Sequence, residues 1–346
     1  MTNLDQNELI QTLDKADMAS YILALPSQIE ESLLKIKQMT IPADWKKIDN
    51  ICFVGMGGSA TAGDLVANLP ALDLKIPLTV VRDFQLPNWV NKNTLVVIVS
   101  HSGNTEETLA AFKYAAAKEA KMFVIAERGD LEQLAEKEKA VIFDYDTLAQ
   151  PRAAMGFQLG AIFGLLKKIN IISYTLEPSL QVLKKLNQEL NPDVQTENNL
   201  AKNLAYFCFD HLPIIVASGI LKTTAWRWKT QFNENAKTFA FTENLPECMH
   251  NSIEGLDYPA RFRDDFVYLI LANAFETPEL LERQEKLKNI LQEKNIAYEL
   301  VEAVGEDVFS QKLSLLLLGD WLSYYLALLN NVDPTPVLTI EKAKKP

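Results

Sequence analysis

The chain has 346 residues, of which 48% are hydrophobic and 23% charged, a balance typical of a globular protein large enough for two domains. Its formal net charge of -11 disfavours nucleic acid and anionic membranes as partners, so a negatively charged ligand would need a local binding site. The first residues lack the basic start and apolar run of a signal peptide, and we therefore expect a cytoplasmic protein.

The longest apolar stretch, residues 313–329, is interrupted by Gly319 and Asp320 and is shorter than a bilayer requires. It predicts a buried helix, and no membrane is implied. The cysteines, Cys52, Cys208 and Cys248, are odd in number and widely separated, which favours free thiols in a reducing compartment. The three histidines are too scattered for a metal-binding pattern, so we expect neither a metal ion nor a cofactor.

In the first half of the chain, apolar β-branched runs alternate with helical patterns, after an acidic N-terminal helical region. Continuous apolar runs are typical of parallel strands covered by helices on both faces. The pattern predicts a doubly wound α/β sheet. Its predicted strands are residues 51–54, 78–81, 95–99, 122–125 and 140–143.

A polar segment at residues 188–199 contains the turn signal Asn191-Pro192-Asp193, which predicts a domain joint. The expected domains are residues 1–187, with the N-terminal helices and the first sheet, and residues 188–346. The second domain is also α/β. Its predicted elements are strands 212–217, 266–271 and 297–301, helices 221–236 and 278–293, and the long apolar helix.

The chain has no close internal repeat, although residues 214–219 faintly echo residues 52–57. Near the C-terminus, Asp333-Pro334-Thr335-Pro336 cannot be helical around its prolines and predicts an extended strap. The spacing after it suits one last helix.

The first candidate site is the glycine loop, residues 54–59, where Val54-Gly55-Met56-Gly57-Gly58-Ser59 joins a predicted strand to a helix. Glycines allow the backbone to approach a ligand closely, and the amides of a helix N-terminus attract anions. The loop is not a dinucleotide fingerprint, because Ala60 stands where a third glycine is needed, and it lacks the GK[ST] of a P-loop. A simple tight turn is the alternative interpretation.

The second candidate site is the hydroxyl loop, residues 100–105, Ser100-His101-Ser102-Gly103-Asn104-Thr105. It also joins a strand to a helix, and its three hydroxyls together with helix amides suit a phosphate group. The alternative is that Asn104 or Thr105 merely caps the next helix. Two such loops at the carboxyl ends of strands in one sheet, where open α/β folds bind ligands, favour an anion site.

These motifs together resemble a known family. Gly57-Gly58-Ser59 and the hydroxyl loop resemble the sugar isomerase (SIS) domain. Pro151-Arg152-Ala153-Ala154, Asn233-Glu234-Asn235-Ala236-Lys237, Pro246-Glu247-x-x-His250-Asn251 and the proline-rich strap resemble the bifunctional phosphoglucose/phosphomannose isomerases. The resemblance extends over nearly the whole chain.

The resemblance implies two tandem SIS domains, each a parallel-sheet αβα sandwich, followed by a C-terminal helical and extended tail. It implies a homodimer that shares its active site between subunits and interconverts glucose 6-phosphate or mannose 6-phosphate with fructose 6-phosphate through an enediolate, without a metal. The phosphate-binding residues that it implies are Gly57, Gly58, Ser59, Ser100, Ser102 and Thr105.

The resemblance also implies catalytic roles. Glu234 is the base that moves the proton, Arg152 stabilises the enediolate, and His250 opens the sugar ring from the other subunit. Lys342 assists at the ring, and Thr335 leaves room for both C2 epimers.

Each of these residues also has a plainer interpretation from sequence alone. Glu234 would be a solvated helical glutamate paired with Lys237, and Arg152 a surface arginine. His250 would be structural or exposed, and Lys342 part of a solvated basic tail.

Two positions depart from the family pattern. His101 stands where the family usually has an aromatic residue such as tyrosine, and Glu127-Arg128-Gly129 replaces a small, glycine-rich turn, which predicts bulk and charge near the strand ends. Two other functions remain open: a non-catalytic sugar-phosphate sensor, and an isomerase of amino-sugar phosphates.

Overall fold

The computed structural model describes residues 3–68 and 74–343, which form two compact units. One unit is formed by residues 24–175, and the other by residues 3–23 and 176–343. The helices are α1 (Asn7–Leu13), α2 (Met18–Leu23), α3 (Leu25–Gln38), α4 (Gly58–Ala67), α5 (Glu106–Ala117), α6 (Asp130–Lys137), α7 (Met155–Lys168), α8 (Glu177–Leu190), α9 (Leu200–Cys208), α10 (Lys222–Glu234), α11 (Pro278–Glu293), α12 (Val308–Leu329) and α13 (Leu338–Ala343). The strands are β1 (Asn50–Val54), β2 (Leu78–Val81), β3 (Thr94–Ser100), β4 (Lys121–Ala126), β5 (Val141–Asp144), β6 (Leu212–Ala217), β7 (Phe241–Asn244), β8 (Phe266–Ala272) and β9 (Ala297–Glu302).

The unit of residues 24–175 contains a parallel sheet in the order β2-β1-β3-β4-β5. All five strands coincide with the predicted runs to within one residue at each end. Every residue of the central strand β3 is buried, which explains why this strand reads as a continuous apolar run.

The other unit contains a second parallel sheet, in the order β7-β6-β8-β9. Strands β6, β8 and β9 were predicted, whereas the edge strand β7 was not. Both end residues of β7 are exposed and its sequence, Phe-Thr-Glu-Asn, carries no apolar run. The fold class, α/β with two parallel sheets in tandem, is confirmed.

The long apolar helix α12 is the predicted buried helix, and all of its residues are buried. In the part of the chain that the structure describes, it is also the one helix long and apolar enough to cross a membrane. Its carboxylate, Asp320, accepts hydrogen bonds from Nε and a terminal nitrogen of Arg227 on α10, both at 3.0 Å. This ion pair neutralises the charge that interrupts the apolar stretch.

The boundary between the units differs from the predicted one at 187/188. Helix α8 packs on α12. Trp321 donates to the side-chain oxygen of Asn187 at 3.1 Å, and Tyr325 donates to the carbonyl of Leu190 at 2.6 Å. The N-terminal helix α2 also packs on α12. The division therefore lies before α8, at 175/176, and the polar segment at 188–199 is a turn inside one unit.

The three cysteines are free and buried. Burial raises the pKa of the Cys52 thiol to about 12 and that of the Cys248 thiol to about 11. Both thiols therefore stay protonated at neutral pH. At the other end of the chain, the strap around Pro334 is not helical and leads into α13, as predicted.

Candidate active site

The glycine loop turns the chain from β1 directly into α4. Gly57 has φ = 51°, a left-handed conformation that a side chain would strain. The amides of Ser59 and Ala60 donate to the carbonyls of Met56 and Gly57 at 3.0 and 3.2 Å, so α4 begins at once. The side chain of Ser59 is buried in the first turn of α4, beside the helix amides that favour an anion.

The hydroxyl loop follows β3 and holds its polar side chains in a compact arrangement. The buried hydroxyl of Ser100 donates to the hydroxyl of Thr105 at 3.2 Å, and the amide of Asn104 donates to the hydroxyl of Ser102 at 3.3 Å. Ser102 is exposed at the surface of the loop. The loop thus presents three hydroxyls within six residues.

The helix-capping alternative for this loop is not what the structure shows. Thr105 is the N-cap residue of α5, but its side chain makes no capping hydrogen bond. The side-chain oxygen of Asn104 instead accepts, at 3.0 Å, from the amide of Asp130, the first residue of α6. Neither side chain caps α5, so amides at its N-terminus remain available to an anion.

The two loops lie at the same edge of the sheet, because β1 and β3 are adjacent and parallel, with Val54 opposite Ile98. Arg152 belongs to the same edge. It lies in the 3-10 helix Pro151–Ala153 and is 2% exposed, so it is not a surface arginine. A Cβ added at Gly58 would lie 3.2 Å from the Cα of Arg152, which shows how closely α4 approaches the arginine backbone.

The loop after β4, residues 127–129, supports the hydroxyl loop. Gly103 has φ = 66°, and a Cβ added there would lie only 1.5 Å from the carbonyl oxygen of Arg128. The Arg128 side chain is 75% exposed and pairs with Asp146, so its bulk and charge face solvent. Glu127 and Gly129, in contrast, lie against the hydroxyl loop.

Glu234, the predicted base, is the last residue of α10 and belongs to the unit of residues 3–23 and 176–343. It is half-buried. The Lys237 Nζ donates to the backbone carbonyls of Glu234, at 2.6 Å, and of Pro334, at 3.3 Å, and so joins the end of α10 to the strap.

The asparagines around Glu234 fix the backbone at the end of α10. Asn235 is fully buried and donates to Ser323 on α12 at 3.0 Å, and Asn233 donates to the carbonyl of Thr238 at 2.8 Å. Sequence analysis missed the role of Lys237 and of these amides. The motif Asn-Glu-Asn-Ala-Lys was itself the available signal, since polar side chains at a helix end commonly satisfy its terminal carbonyls.

The remaining predicted residues lie on other elements of this unit. His250 ends the 3-10 helix Glu247–His250 and is exposed. Thr335 is half-buried in the strap, where its amide donates to Asp333 at 2.9 Å. Lys342 is exposed on α13, and its predicted tail partners, Lys344 and Lys345, lie outside the described residues. The contact of Lys237 with the carbonyl of Pro334 brings the neighbouring Thr335 near the end of α10. His250 and Lys342 lie on separate segments.

The corresponding edge of the second sheet is built differently. Gly219 follows β6 with φ = 48°, as Gly57 follows β1, but the carboxylate of Glu276 lies 3.0 Å from the position of an added Cβ. Asn273 donates to this carboxylate at 2.5 Å. Thr277 caps α11, unlike Thr105 in the first sheet. At this edge of the second sheet, a carboxylate therefore lies where the first sheet has hydroxyl groups.

Comparison with known proteins identifies the family of the chain. The family described as the bacterial phospho-glucose isomerase C-terminal SIS domain matches residues 197–346. The bifunctional phosphoglucose/phosphomannose isomerase of Caldicellulosiruptor bescii is 34% identical over 331 residues, which cover 94% of this chain and 98% of that protein. The chain belongs to the bifunctional phosphoglucose/phosphomannose isomerase family.

A second member of this isomerase family, from Aquifex aeolicus, is 32% identical over 306 residues, which cover 88% of this chain and 92% of that protein. The fold agrees with solved structures as well. A glucose-6-phosphate isomerase like protein from Thermus thermophilus superposes with a TM-score of 0.65 at 21% identity and covers 99% of each chain. The similarity to the family therefore extends over both units.

Residues 3–68 and 74–343 of this family member contain no group of three or more histidine, cysteine, aspartate or glutamate residues that could hold a metal ion.

Proposed function

We propose that the chain is an aldose–ketose isomerase that interconverts glucose 6-phosphate and mannose 6-phosphate with fructose 6-phosphate, without a metal ion. Family membership supports this reaction. The observation that carries the proposal is the convergence of the glycine loop, the hydroxyl loop and the buried Arg152 at one sheet edge. A cytoplasmic homodimer is part of the same proposal.

In this proposal the phosphate of the substrate is held by the two loops. The hydroxyls of Ser59, Ser100, Ser102 and Thr105 donate to it, and the amides that begin α4 and α5 add their partial positive charge. Gly57 and Gly58 let the backbone come close enough to contribute. This binding holds the substrate by the end remote from the reacting carbons and so orients the sugar.

The isomerisation itself transfers protons and needs no external oxidant. In the open-chain aldose, the carboxylate of Glu234 removes the proton from C2 and later returns it to C1. The C2 hydroxyl loses its proton, and the C1 carbonyl oxygen gains one. The enediolate formed between these steps carries negative charge, which the guanidinium of Arg152 stabilises. Substrate and product therefore have the same atoms and the same overall oxidation state.

The other residues act on the ring and on the choice of epimer. His250 donates a proton to the ring oxygen during opening, from the partner subunit of the dimer, and Lys342 assists there. Thr335 leaves space for either configuration at C2, so both aldose phosphates are substrates. The contact of Lys237 with Pro334 supports this role, since it joins the strap to the end of α10 that carries Glu234.

The test is isomerisation by the metal-free protein, with Glu234→Gln and a matched control, Glu293→Gln. Glu293 is the last residue of α11, as Glu234 is of α10, but it is exposed. We expect Glu234→Gln to lower kcat by about a hundredfold to ten-thousandfold, the usual contribution of general acid–base catalysis, while it still binds fructose 6-phosphate. Glu293→Gln should match the wild type.

Two results would change the assignment. A wild type inactive on all three hexose phosphates but stabilised by them on heating would be a sensor. Turnover of glucosamine 6-phosphate alone would indicate an amino-sugar isomerase.

A further inference from the structure

A chain of hydrogen bonds leads from the hydroxyl loop into the protein, through a residue that departs from the family pattern. The His101 side chain is only 11% exposed. Its Nδ1 lies 3.0 Å from the hydroxyl of Tyr145, and its Nε2 lies 3.5 Å from a carboxylate oxygen of Glu127. The hydroxyl of Tyr145 in turn accepts from the side-chain amide of Gln158 at 3.2 Å.

The hydrogen bonds suit one tautomer of His101. The amide nitrogen of Gln158 can only donate, so the Tyr145 hydroxyl accepts from it and has its own proton left for Nδ1 of His101. With Nδ1 as the acceptor, the proton of the neutral imidazole is assigned to Nε2, which faces Glu127.

The protonation states agree with this arrangement. Burial lowers the pKa of His101, although the Glu127 carboxylate and a backbone hydrogen bond with Ala149 oppose the shift. Burial also raises the pKa of Tyr145 to about 12. At neutral pH the chain of donors therefore runs from Gln158 through Tyr145 and His101 to Glu127.

Both ends of this chain are anchored in the fold. Gln158 is buried in α7, and the ring of Tyr145 stacks on Phe157 at 5.1 Å between centroids. At the other end, the amide of Glu127 donates to the backbone carbonyl of His101 at 3.2 Å. Side chain and backbone of His101 are thus both held, and His101 lies between two hydroxyl-bearing residues, Ser100 and Ser102.

We propose that His101 is a positioning residue for the phosphate group, which acts by fixing the backbone that carries the hydroxyls of Ser100 and Ser102. The substrate class in this inference rests on the proposed function. Because the phosphate is remote from C1 and C2, loss of this positioning weakens binding of substrate and transition state alike. The expected signature is a higher KM at unchanged kcat.

The main experiment compares the wild type with His101→Phe, which keeps an aromatic ring but removes both hydrogen bonds. We expect the KM for fructose 6-phosphate and the Ki of inorganic phosphate to rise together by about fivefold to tenfold, the factor associated with one net hydrogen bond. The control is His211→Phe in the other unit, where Nδ1 of a half-buried histidine contacts the carbonyl of Phe209 at 2.8 Å. It should leave both constants unchanged.

Two further variants separate positioning from a general loss of structure. His101→Asn places an amide oxygen near the position of Nδ1, so it can accept from Tyr145 and should restore most of the affinity. Tyr145→Phe keeps His101 but removes this contact, and it should reproduce the rise in KM. If His101→Phe does not fold, the comparison of His101→Asn with Tyr145→Phe still tests the positioning role of His101.

Calorimetric binding of inorganic phosphate makes the test independent of the isomerase assignment. If the wild type binds phosphate but does not isomerise sugars, a weaker affinity in His101→Phe still supports the positioning role while the proposed reaction fails. Equal phosphate affinity in folded wild type and His101→Phe overturns the inference, as does a fall in kcat with an unchanged Ki.

Discussion

Replacement of Gly58 by alanine tests whether the contact between α4 and Arg152 controls the active site. The added Cβ would lie 3.2 Å from the Cα of Arg152 and 3.4 Å from its backbone nitrogen. Carbon atoms pack at about 3.5–4.0 Å, so the two segments must separate by about 0.3–0.8 Å. A displacement of about 1 Å can cost about a hundredfold in rate, so we expect kcat/KM to fall by about fourfold to fortyfold.

The stability of Gly58→Ala should change much less than its activity. Alanine favours a helix over glycine by about 0.5–1 kcal/mol, which offsets part of the steric strain. Initial rates with fructose 6-phosphate and thermal unfolding of the same preparation measure the two effects. Gly255→Ala is the matched control, because no atom lies within 4 Å of its added Cβ. A folded Gly58→Ala with kcat/KM within twofold of the wild type would refute the reasoning.

Three further predictions address phosphate binding, core charge and pH. Ser100→Ala should raise the KM for fructose 6-phosphate by about tenfold to a hundredfold, since a hydrogen bond to a charged group contributes about 1.5–3 kcal/mol; a KM within twofold in initial-rate measurements would contradict it. Asp320→Ala leaves the charge of Arg227 buried and should lower the free energy of unfolding by about 3–5 kcal/mol in denaturant titrations, whereas Glu282→Gln, at an exposed pair, should have little effect. Because the pKa of His101 is lowered in the folded protein, the unfolded chain binds its proton first, and stability should fall as the pH drops below about 6.5. His101→Phe should show a shallower fall between pH 7 and 5.5, and equal slopes would contradict this origin.

Local sequence was sufficient to locate elements whose burial is complete. Strand β3 is buried at every residue and matches its predicted apolar run to within one residue at each end. Helix α12 is buried over its whole length, but the apolar stretch 313–329 missed its first turn, which includes the polar residues Ser310, Gln311 and Lys312. The edge strand β7 is partly exposed and carries no such signal. Its place in the sheet depends on pairing with β6, which is a tertiary contact.

The division of the chain could not be predicted locally for a similar reason. Segment 188–199 has the composition of a linker, yet Asn199 is fully buried and donates to the carbonyl of Leu190 at 3.0 Å. Lys202 is also fully buried and pairs with Asp5 at 2.9 Å, a residue 197 positions earlier. Only such long-range pairs show that the first residues pack with the C-terminal unit.

The contacts that assemble the candidate site could be predicted from local sequence only in part. The hydroxyl loop was predicted because its three hydroxyls lie within six residues at the end of a buried strand. The approach of Gly58 to Arg152 and the bond from Lys237 to Pro334 join residues about a hundred positions apart, and no local pattern encodes them. His101 was recognised as a departure, but its partners Tyr145 and Gln158 depend on how β5 and α7 pack.

The two sheets differ at the edge where the first carries the candidate phosphate site. The first strand of each sheet is followed by a glycine with positive φ, Gly57 after β1 and Gly219 after β6. At the second edge the carboxylate of Glu276 lies against Gly219 and would repel a phosphate. At the first edge, hydroxyls lie in the adjacent loop and Thr105 leaves its helix uncapped. In the proposed function, the preference of the phosphate for the first edge therefore arises from side chains that differ between the two loops after β3 and β8.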